Sequence, residues 1–512
     1  MNRHEPMPGE TGEIREALRQ ILEARQATRD EARTAAVDKQ HARGRWTARE
    51  GIAGMLDPDS LVEYGALAKP ATEGMSGAAD GLVTGTGTVD GRPVVMVAYD
   101  YTVYAGTQSA VNHTKISRMF EFAEKQRLPV ICWLDGGGAR PHDMFVPNRL
   151  GSPTFVTFSR LSGQAPTVGI VPGRAFAGHA NLAGLCDVAI ATKNASMGMA
   201  GPPLVEAALG VKLTPEEIGP AEVHYKSGAI DLLAEDEREA CALAKKYLSF
   251  FSGPQETVPA QDQTKLRELV PESPRRAYDV RKVIEVMADG DQMLELKPAY
   301  GRAMVTALTR MGGQTVGVIA NQPMFMAGAM DGPACEKAAR FVQICDAYDI
   351  PILLLCDTPG LMVGPEIEQT CLVRRSARLL SALANATVPL MTVVLRKAYG
   401  LGYYIMGSRP LMPAILLAWP TAEFGGMGLE GAASIIFQKE LAAIEDPAAR
   451  AQAHRDYTDE LKAYNTSLRV GERFGFDDVI DPAETRDILI RTLGTFPRPP
   501  ERTTRKRSIE PF

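Results

Sequence analysis

The amino-acid sequence predicts an α/β protein made of two tandem, related domains. Three observations predict it. One segment of the chain occurs twice, short β-branched runs alternate with amphipathic helices, and glycine-bearing turns follow the strands in both copies. Residues 91–138 align with 313–360 without a gap, at a constant offset of 222. Identical pairs include Gly91/Gly313, Lys115/Lys337, Arg118/Arg340, Pro129/Pro351, Asp135/Asp357 and Gly138/Gly360. So long a period is beyond any solenoid repeat and marks duplication of a whole domain. A chain of 512 residues also exceeds one ordinary core. The expected domains are 1–255 and 256–512.

Residues 11–45 read as a helix with Ile14, Leu18, Ile21 and Leu22 along one face, suited to lie on another subunit or on its own chain. A turn follows at 56–59. Then come a strand over 94–98, a helix over 110–125, a buried strand over 130–134, a helix over 154–162, and strands over 167–171 and 187–191. The stretch 252–275 is rich in Pro, Gln and Asp and reads as the linker. The second copy repeats the order: strand 316–320, helix 334–347, strand 352–356, helix 373–384 and strand 391–395.

Apolar content of 45% and charged content of 23% are those of a soluble globular chain. A net charge of −6 argues against nucleic acid or a membrane surface as partner. The one basic cluster, at 502–507, reads as a solvated terminus or a docking arm. No apolar run is long enough to span a bilayer, and the polar amino terminus has no signal-peptide core, so the cytoplasm is the expected location. Seven cysteines with no CxxC pair predict reduced, buried thiols, with no disulfide frame and no metal site.

Two glycine turns in each copy follow an apolar strand. In the first copy they are Asp135-Gly136-Gly137-Gly138-Ala139-Arg140 and Phe176-Ala177-Gly178-His179. In the second they are Asp357-Thr358-Pro359-Gly360-Leu361 and Ala398-Tyr399-Gly400-Leu401-Gly402. The later pair corresponds at an offset of 224, setting Ala177 against Leu401. Glycine lets the backbone approach a ligand, and a helix that follows leaves its first N–H groups unpaired. Two such groups converging on one oxygen stabilise an oxyanion. The alternative is that these are only tight strand-to-helix turns. Phosphate-loop, dinucleotide, nucleophile-elbow and zinc-helix motifs are all absent. His179, inside a candidate loop, is either a base or a packed histidine. The sequence thus offers backbone donors in duplicate and no acid–base constellation.

Taken together, residues 39–57 (KQHARGRWTAREGIAGMLD), 137–140 (GGAR), 199–207 (MAGPPLVEA), 278–283 (YDVRKV), 396–402 (RKAYGLG) and 419–431 (WPTAEFGGMGLEG) resemble the carboxyltransferase (β) subunit of biotin-dependent acyl-CoA carboxylases. That family is built from two crotonase-like domains. The resemblance implies that carboxybiotin, brought by a biotin carboxyl carrier and biotin carboxylase partner, meets an acyl-CoA at a subunit interface. It implies a dimer at least and suggests a hexamer. By position, the thioester oxyanion hole would use N–H groups near Gly137 and at Ala177 and Gly178, and the biotin hole those of Leu401 and Gly402. Gly138, Ala139, Arg140, Gly360 and Tyr404 would line the substrate sites, with Arg140 beside the CoA or in a structural salt bridge. Both anions need donors and neither needs a side-chain base.

The chain departs from the family at named places. AGGA becomes Ala177-Gly178-His179-Ala180, and AYGGAY acquires Leu401 and Gly402. Tyr404 lies where the family tunes acyl fit, and Pro359, opposite Gly137, has no N–H. MAGPPLVEA is similar to the branched-enoyl branch and WPTAE to the propionyl branch, which leaves the acyl group open. Two other functions stay in play: a biotin-linked malonyl-type decarboxylase subunit, and a scaffold that only holds the partner.

Overall fold

Asp90 and Gly91 both take left-handed backbone (φ 49° and 74°), the turn that lets the strand Leu82–Val89 fold back on Arg92–Tyr99 with matched twist. The Asp57 carboxylate holds this turn, accepting from Asp90 N (3.0 Å), Gly91 N (2.8 Å) and Thr88 Oγ1 (2.6 Å). The second copy does the same with different residues. Gly312 and Gly313 turn Met304–Met311 into Gln314–Asn321, and Asp289 accepts from their N–H groups at 3.0 and 2.7 Å. These contacts come from a computed structural model that describes residues 15–146, 152–273, 275–497 and 508–511.

The described strands form two mixed sheets, seven-stranded in the amino-terminal half of the sequence and eight-stranded in the carboxy-terminal half, and one two-stranded parallel sheet. By proximity the chain divides into two compact units. One takes Met1–Phe158, Val171–Leu182 and Ala195–Ile218; the other takes Ser159–Ile170, Ala183–Asn194 and Gly219–Phe512.

In the first unit, Val62–Tyr64 and the hairpin are antiparallel, and Val130–Trp133 joins Arg92–Tyr99 in parallel. A separate parallel pair, Arg174–Phe176 with Ser196–Gly198, carries the second glycine loop. In the second unit, Leu294–Leu296, Met304–Met311 and Gln314–Asn321 are antiparallel. Ile352–Thr358, Leu390–Tyr399, Ile415–Ala418 and Asp478–Val479 then follow in parallel. The core of that sheet is dry, with Val305, Val318, Leu353, Val393 and Trp419 all buried.

The helices Ala110–Gln126 and Gly332–Ala347 start at Ser109 and Asp331, whose side chains accept from the third N–H of each helix. On them lies the repeated lysine. Lys115 donates to the carbonyls of Ala79 (2.9 Å) and Leu82, and Lys337 donates to that of Met304 (2.8 Å), the residue 222 beyond Leu82. The duplicated lysine therefore ties a helix to a hairpin strand in both copies.

Two sequence expectations are corrected. The helix over 11–45 is broken into Glu16–Gln26, a 3-10 turn Asp30–Ala32 and Thr34–His41, while 11–14 lie outside the described residues. The break falls where Thr28 turns inward and Arg49 Nε binds its carbonyl (3.1 Å). The stretch 252–275 is also no free tether, because Leu266 and Val270 are buried in the second unit's core beside Val283 and Ile284. The basic cluster at 502–507 lies outside the described residues.

Candidate active site

Strand Val130–Trp133 delivers the loop Asp135–Arg140, and three hydrogen bonds fix its shape. Gly136 N donates to Arg174 O (2.5 Å), Gly137 N to Ala105 O (3.0 Å), and Arg140 N to Gln108 O (2.7 Å). Gln108 N in turn donates to Gly138 O (2.8 Å). Asp135 anchors the base of the loop. It is buried and accepts from Arg174 N (2.9 Å), with Arg45 3.5 Å away. Burial raises its pKa, against the pull of Arg45 and the Arg174 amide.

The second copy keeps this frame. Met330 N donates to Gly360 O (3.1 Å) and Met362 N to Met330 O (3.0 Å), so Met330 stands where Gln108 stands. Asp357 accepts from Lys397 N (3.1 Å) and Arg396 Nε (3.1 Å).

The later loops follow with a register that corrects the sequence alignment. Phe176 pairs with Gly198 and Tyr399 with Gly425, and the next residue in each copy is left-handed: Ala177 at φ 52° and Gly400 at φ 54°. Ala177 therefore corresponds to Gly400, Gly178 to Leu401 and His179 to Gly402, at an offset of 223 rather than 224. Ala177 N donates to Gly198 O (2.9 Å). Its N–H is therefore engaged, as is that of Gly137. Among the described residues, no hydrogen bond takes up the N–H of Gly138, Gly178, Leu401 or Gly402. Gly178 and Leu401 stand in the first turn of the helices Gly178–Leu185 and Gly400–Ile405, where N–H groups have no intrahelical acceptor. The N–H of Gly360 is held by Thr358 Oγ1 (3.1 Å).

The side chains of the predicted site divide sharply. Arg140 is buried and paired with Asp80 (2.5 Å), and it also donates to the carbonyls of Asp80 (3.1 Å) and Thr107 (3.2 Å). Of its two expected roles, the structure shows the salt bridge. His179 is fully buried, with Nδ1 on Phe176 O (3.3 Å) and Nε2 turned toward Gly136 and the Gly106 carbonyl. Burial pulls its pKa down to about 4, so it is a neutral packed imidazole with no path to solvent. Ala139, Leu401 and Tyr404 are exposed, with Leu401 at 52%.

Leu401 forms one wall of an apolar cavity of about 440 Å³ that is also lined by Leu361, Met362, Leu372, Leu380 and Ile405. The cavity is open to solvent on the side of Leu401, so an apolar surface and an unengaged N–H lie side by side. Sequence reasoning missed Gln108, Asp80 and Thr358. None is repeated at the offset of 222, and only the serine cap after Gln108 hinted at a fixed loop there.

Paired glycine loops with unengaged backbone N–H groups, on a two-sheet α/β frame, are the arrangement of proteins that stabilise an oxyanion. The chain belongs to the carboxyl transferase domain family, which matches residues 39–508. It is a carboxyltransferase subunit of the biotin-dependent acyl-CoA carboxylase and methylmalonyl-CoA transcarboxylase group. It is 40% identical to the methylmalonyl-CoA carboxyltransferase 12S subunit of Propionibacterium freudenreichii subsp. shermanii, over 94% of each chain. It is 36% identical to the acetyl-/propionyl-coenzyme A carboxylase beta5 subunit of Mycobacterium leprae, over 91% of this chain and 89% of the relative.

Among solved structures, transcarboxylase 12S superposes with a TM-score of 0.85 at 37% identity, covering 96% of this chain and 99% of that one. It is described as a hexamer with methylmalonyl-coenzyme A and methylmalonic acid bound. A single-chain, multi-domain long-chain acyl-CoA carboxylase superposes with a TM-score of 0.88 at 42% identity, and this chain spans half of its length.

Proposed function

We propose that the chain moves a carboxyl group between biotin on a partner protein and the α (or vinylogous γ) carbon of an acyl-CoA. In this reading the N–H groups of Gly138 and Gly178 hold the thioester oxygen as it becomes an enolate. Those of Leu401 and Gly402 hold the ureido oxygen of biotin, whose ring lies in the apolar cavity beside Leu401. The observation that carries the reading is the matched pair of loops with hydrogen-bond donors left over in each copy. When bound, biotin supplies the transferable carboxyl group. The chain supplies placement and donors fixed before the charge develops, each worth about 3 kcal/mol.

Residues 1–255 would serve the acyl-CoA and 256–512 the biotin. The partner is a biotin carboxyl carrier with its biotin carboxylase, and the working assembly is a hexamer like the 12S relative. The cytoplasm suits the seven free cysteines, of which only Cys371 is exposed. Decarboxylation of a malonyl-type CoA is the second reading. It is favoured by 34% identity to the methylmalonyl-CoA decarboxylase subunit alpha of Veillonella parvula, over 89% of this chain and 91% of that one.

Carboxyl transfer from methylmalonyl-CoA or malonyl-CoA to free biocytin tests the proposal. Leu401→Pro removes one N–H in the first helical turn, where proline is tolerated. It should lower kcat about 100-fold or more. Leu401→Gly keeps the N–H and should stay within about tenfold of wild type. Equal rates for the two variants would remove Leu401 from the donor set.

A further inference from the structure

Gln108 is tied to both walls of the amino-terminal site. Its main chain bridges to the first loop in both directions, through Gln108 N to Gly138 O (2.8 Å) and Arg140 N to Gln108 O (2.7 Å). Its side chain reaches the second loop. A methyl group placed on Gly178 would collide with Gln108 Oε1 and lie 2.9 Å from its Cδ and 3.0 Å from Phe155 Cζ. The far side of the amide is held by Tyr99, whose hydroxyl accepts from Gln108 Nε2 (3.1 Å). The Tyr99 ring stands edge-on to His179 with centroids 4.3 Å apart, and His179 underlies Gly136. Gln108 and Tyr99 are both buried.

We propose that Gln108 is a positioning residue that sets the separation of the Gly138 and Gly178 N–H groups. Its backbone holds one donor loop, and its Tyr99-held amide props the other. The carboxy-terminal copy has Met330 at this place, with the same backbone bridges and no side-chain amide. The prop is therefore peculiar to the amino-terminal site. Hydrogen-bond donors act on a transition state only when held to within a few tenths of an ångström, so a lost prop weakens turnover before binding. The proposal rests on Gly138 and Gly178 being the amino-terminal donors.

A double-mutant cycle on the full chain tests it, with methylmalonyl-CoA as carboxyl donor and biocytin as acceptor. Gly178 has no left-handed φ, so the methyl group of Gly178→Ala meets the Gln108 amide and the Phe155 edge, and it displaces the amide from its place between Tyr99 and Gly178. Gln108→Ala removes the amide outright. Each single variant should lower kcat at least tenfold, with KM for the CoA ester within twofold of wild type. The double variant should be no slower than the slower single, because both changes abolish one contact. Gln108→Met, the residue of the other copy, should keep the melting temperature and still lose kcat, which separates positioning from folding.

Wild-type kcat in Gln108→Ala or Gln108→Met would overturn the proposal, as would multiplicative losses in the double variant. Wild-type kcat in Gly178→Ala, which keeps the N–H and displaces only the amide, would overturn it too, whereas no carboxyl transfer by the wild-type chain would overturn the function reading beneath it. A slow Gly178→Ala beside a fast Gln108→Ala would sink the role of Gln108 alone.

Discussion

Gly136 has no side chain because His179 Nε2 and the Gly106 carbonyl occupy the place where a Cβ would stand. In the other copy the corresponding residues are Thr358 and Gly402. There the bulk comes from the strand end, and the helix supplies the glycine, whose absent Cβ would fall 2.6 Å from Gly360 Cα. The imidazole that breaks the family's AGGA pattern thus fills a gap beneath the loop, and the N–H of Gly178 is left unengaged beside it. A motif shows which residue differs and leaves open which way its side chain points, so sequence alone could not choose between base and packing group.

The same holds for Arg140, whose partner Asp80 lies 60 positions away and is not repeated. Arg140→Met leaves Asp80 buried beside the Ser109 hydroxyl and Asn112 amide without its cation. The expected loss is about 3–5 kcal/mol of unfolding free energy in urea. Adding Asp80→Asn should return part of it, and a loss below about 1 kcal/mol would place Arg140 outside the scaffold.

At the scale of elements, the strands and helices read from 94 to 191 and from 316 to 395 fall within a few residues of those observed, while the hairpin partners Leu82–Val89 and Met304–Met311 were not read. Buried β-branched runs and capped amphipathic helices read the same in sequence and in space. What was not legible was register. The glycines around 177 and 401 align equally well at two offsets by residue type, and only the pairing of Phe176 with Gly198 and Tyr399 with Gly425 decides between them.

The repeated lysines show what the identities mean, since each pins a helix to a hairpin and neither touches the candidate site. Burial is the largest influence on Lys337 and lowers its pKa to about 7. Glu295, 4.0 Å away, opposes the shift, while Arg281 and Lys297 assist it. An unfolded lysine titrates near about 10.4. Between those values the unfolded chain binds more protons than the folded one, so this group makes stability rise with pH. From pH 7 to 9 its share should be on the order of 2 kcal/mol. Lys337→Met should flatten the rise in melting temperature over that window relative to wild type. An identical rise in the variant would show that Lys337 keeps an ordinary pKa.

For the whole molecule, the duplication is a statement about scaffold first and chemistry second. Asp135/Asp357, Gly106/Gly328 and Lys115/Lys337 fix loops and hairpins in both copies. The residues that differ, Gln108/Met330 and His179/Gly402, lie around the proposed donors. One further feature is repeated without being identical. After each short strand that carries a glycine loop's partner comes a helix with exposed apolar side chains. Pro202–Leu209 has no buried residue, and its Leu204 and Leu209 are 63% and 69% exposed. Leu429–Ile436 shows Ile435 and Ile436 at 65% and 59%.

Apolar side chains exposed in clusters mark surfaces that another chain covers. Two such surfaces in equivalent places suit closed assembly of identical copies. Sedimentation velocity of the purified chain should therefore show a species several times the monomer mass. Leu204→Glu combined with Ile435→Glu should shift it toward monomer while the far-ultraviolet dichroism stays unchanged. Carboxyl transfer to biocytin should fall with the assembly, since the family resemblance implies that biotin and acyl-CoA meet at a subunit interface. A fully active monomer would show that one chain suffices.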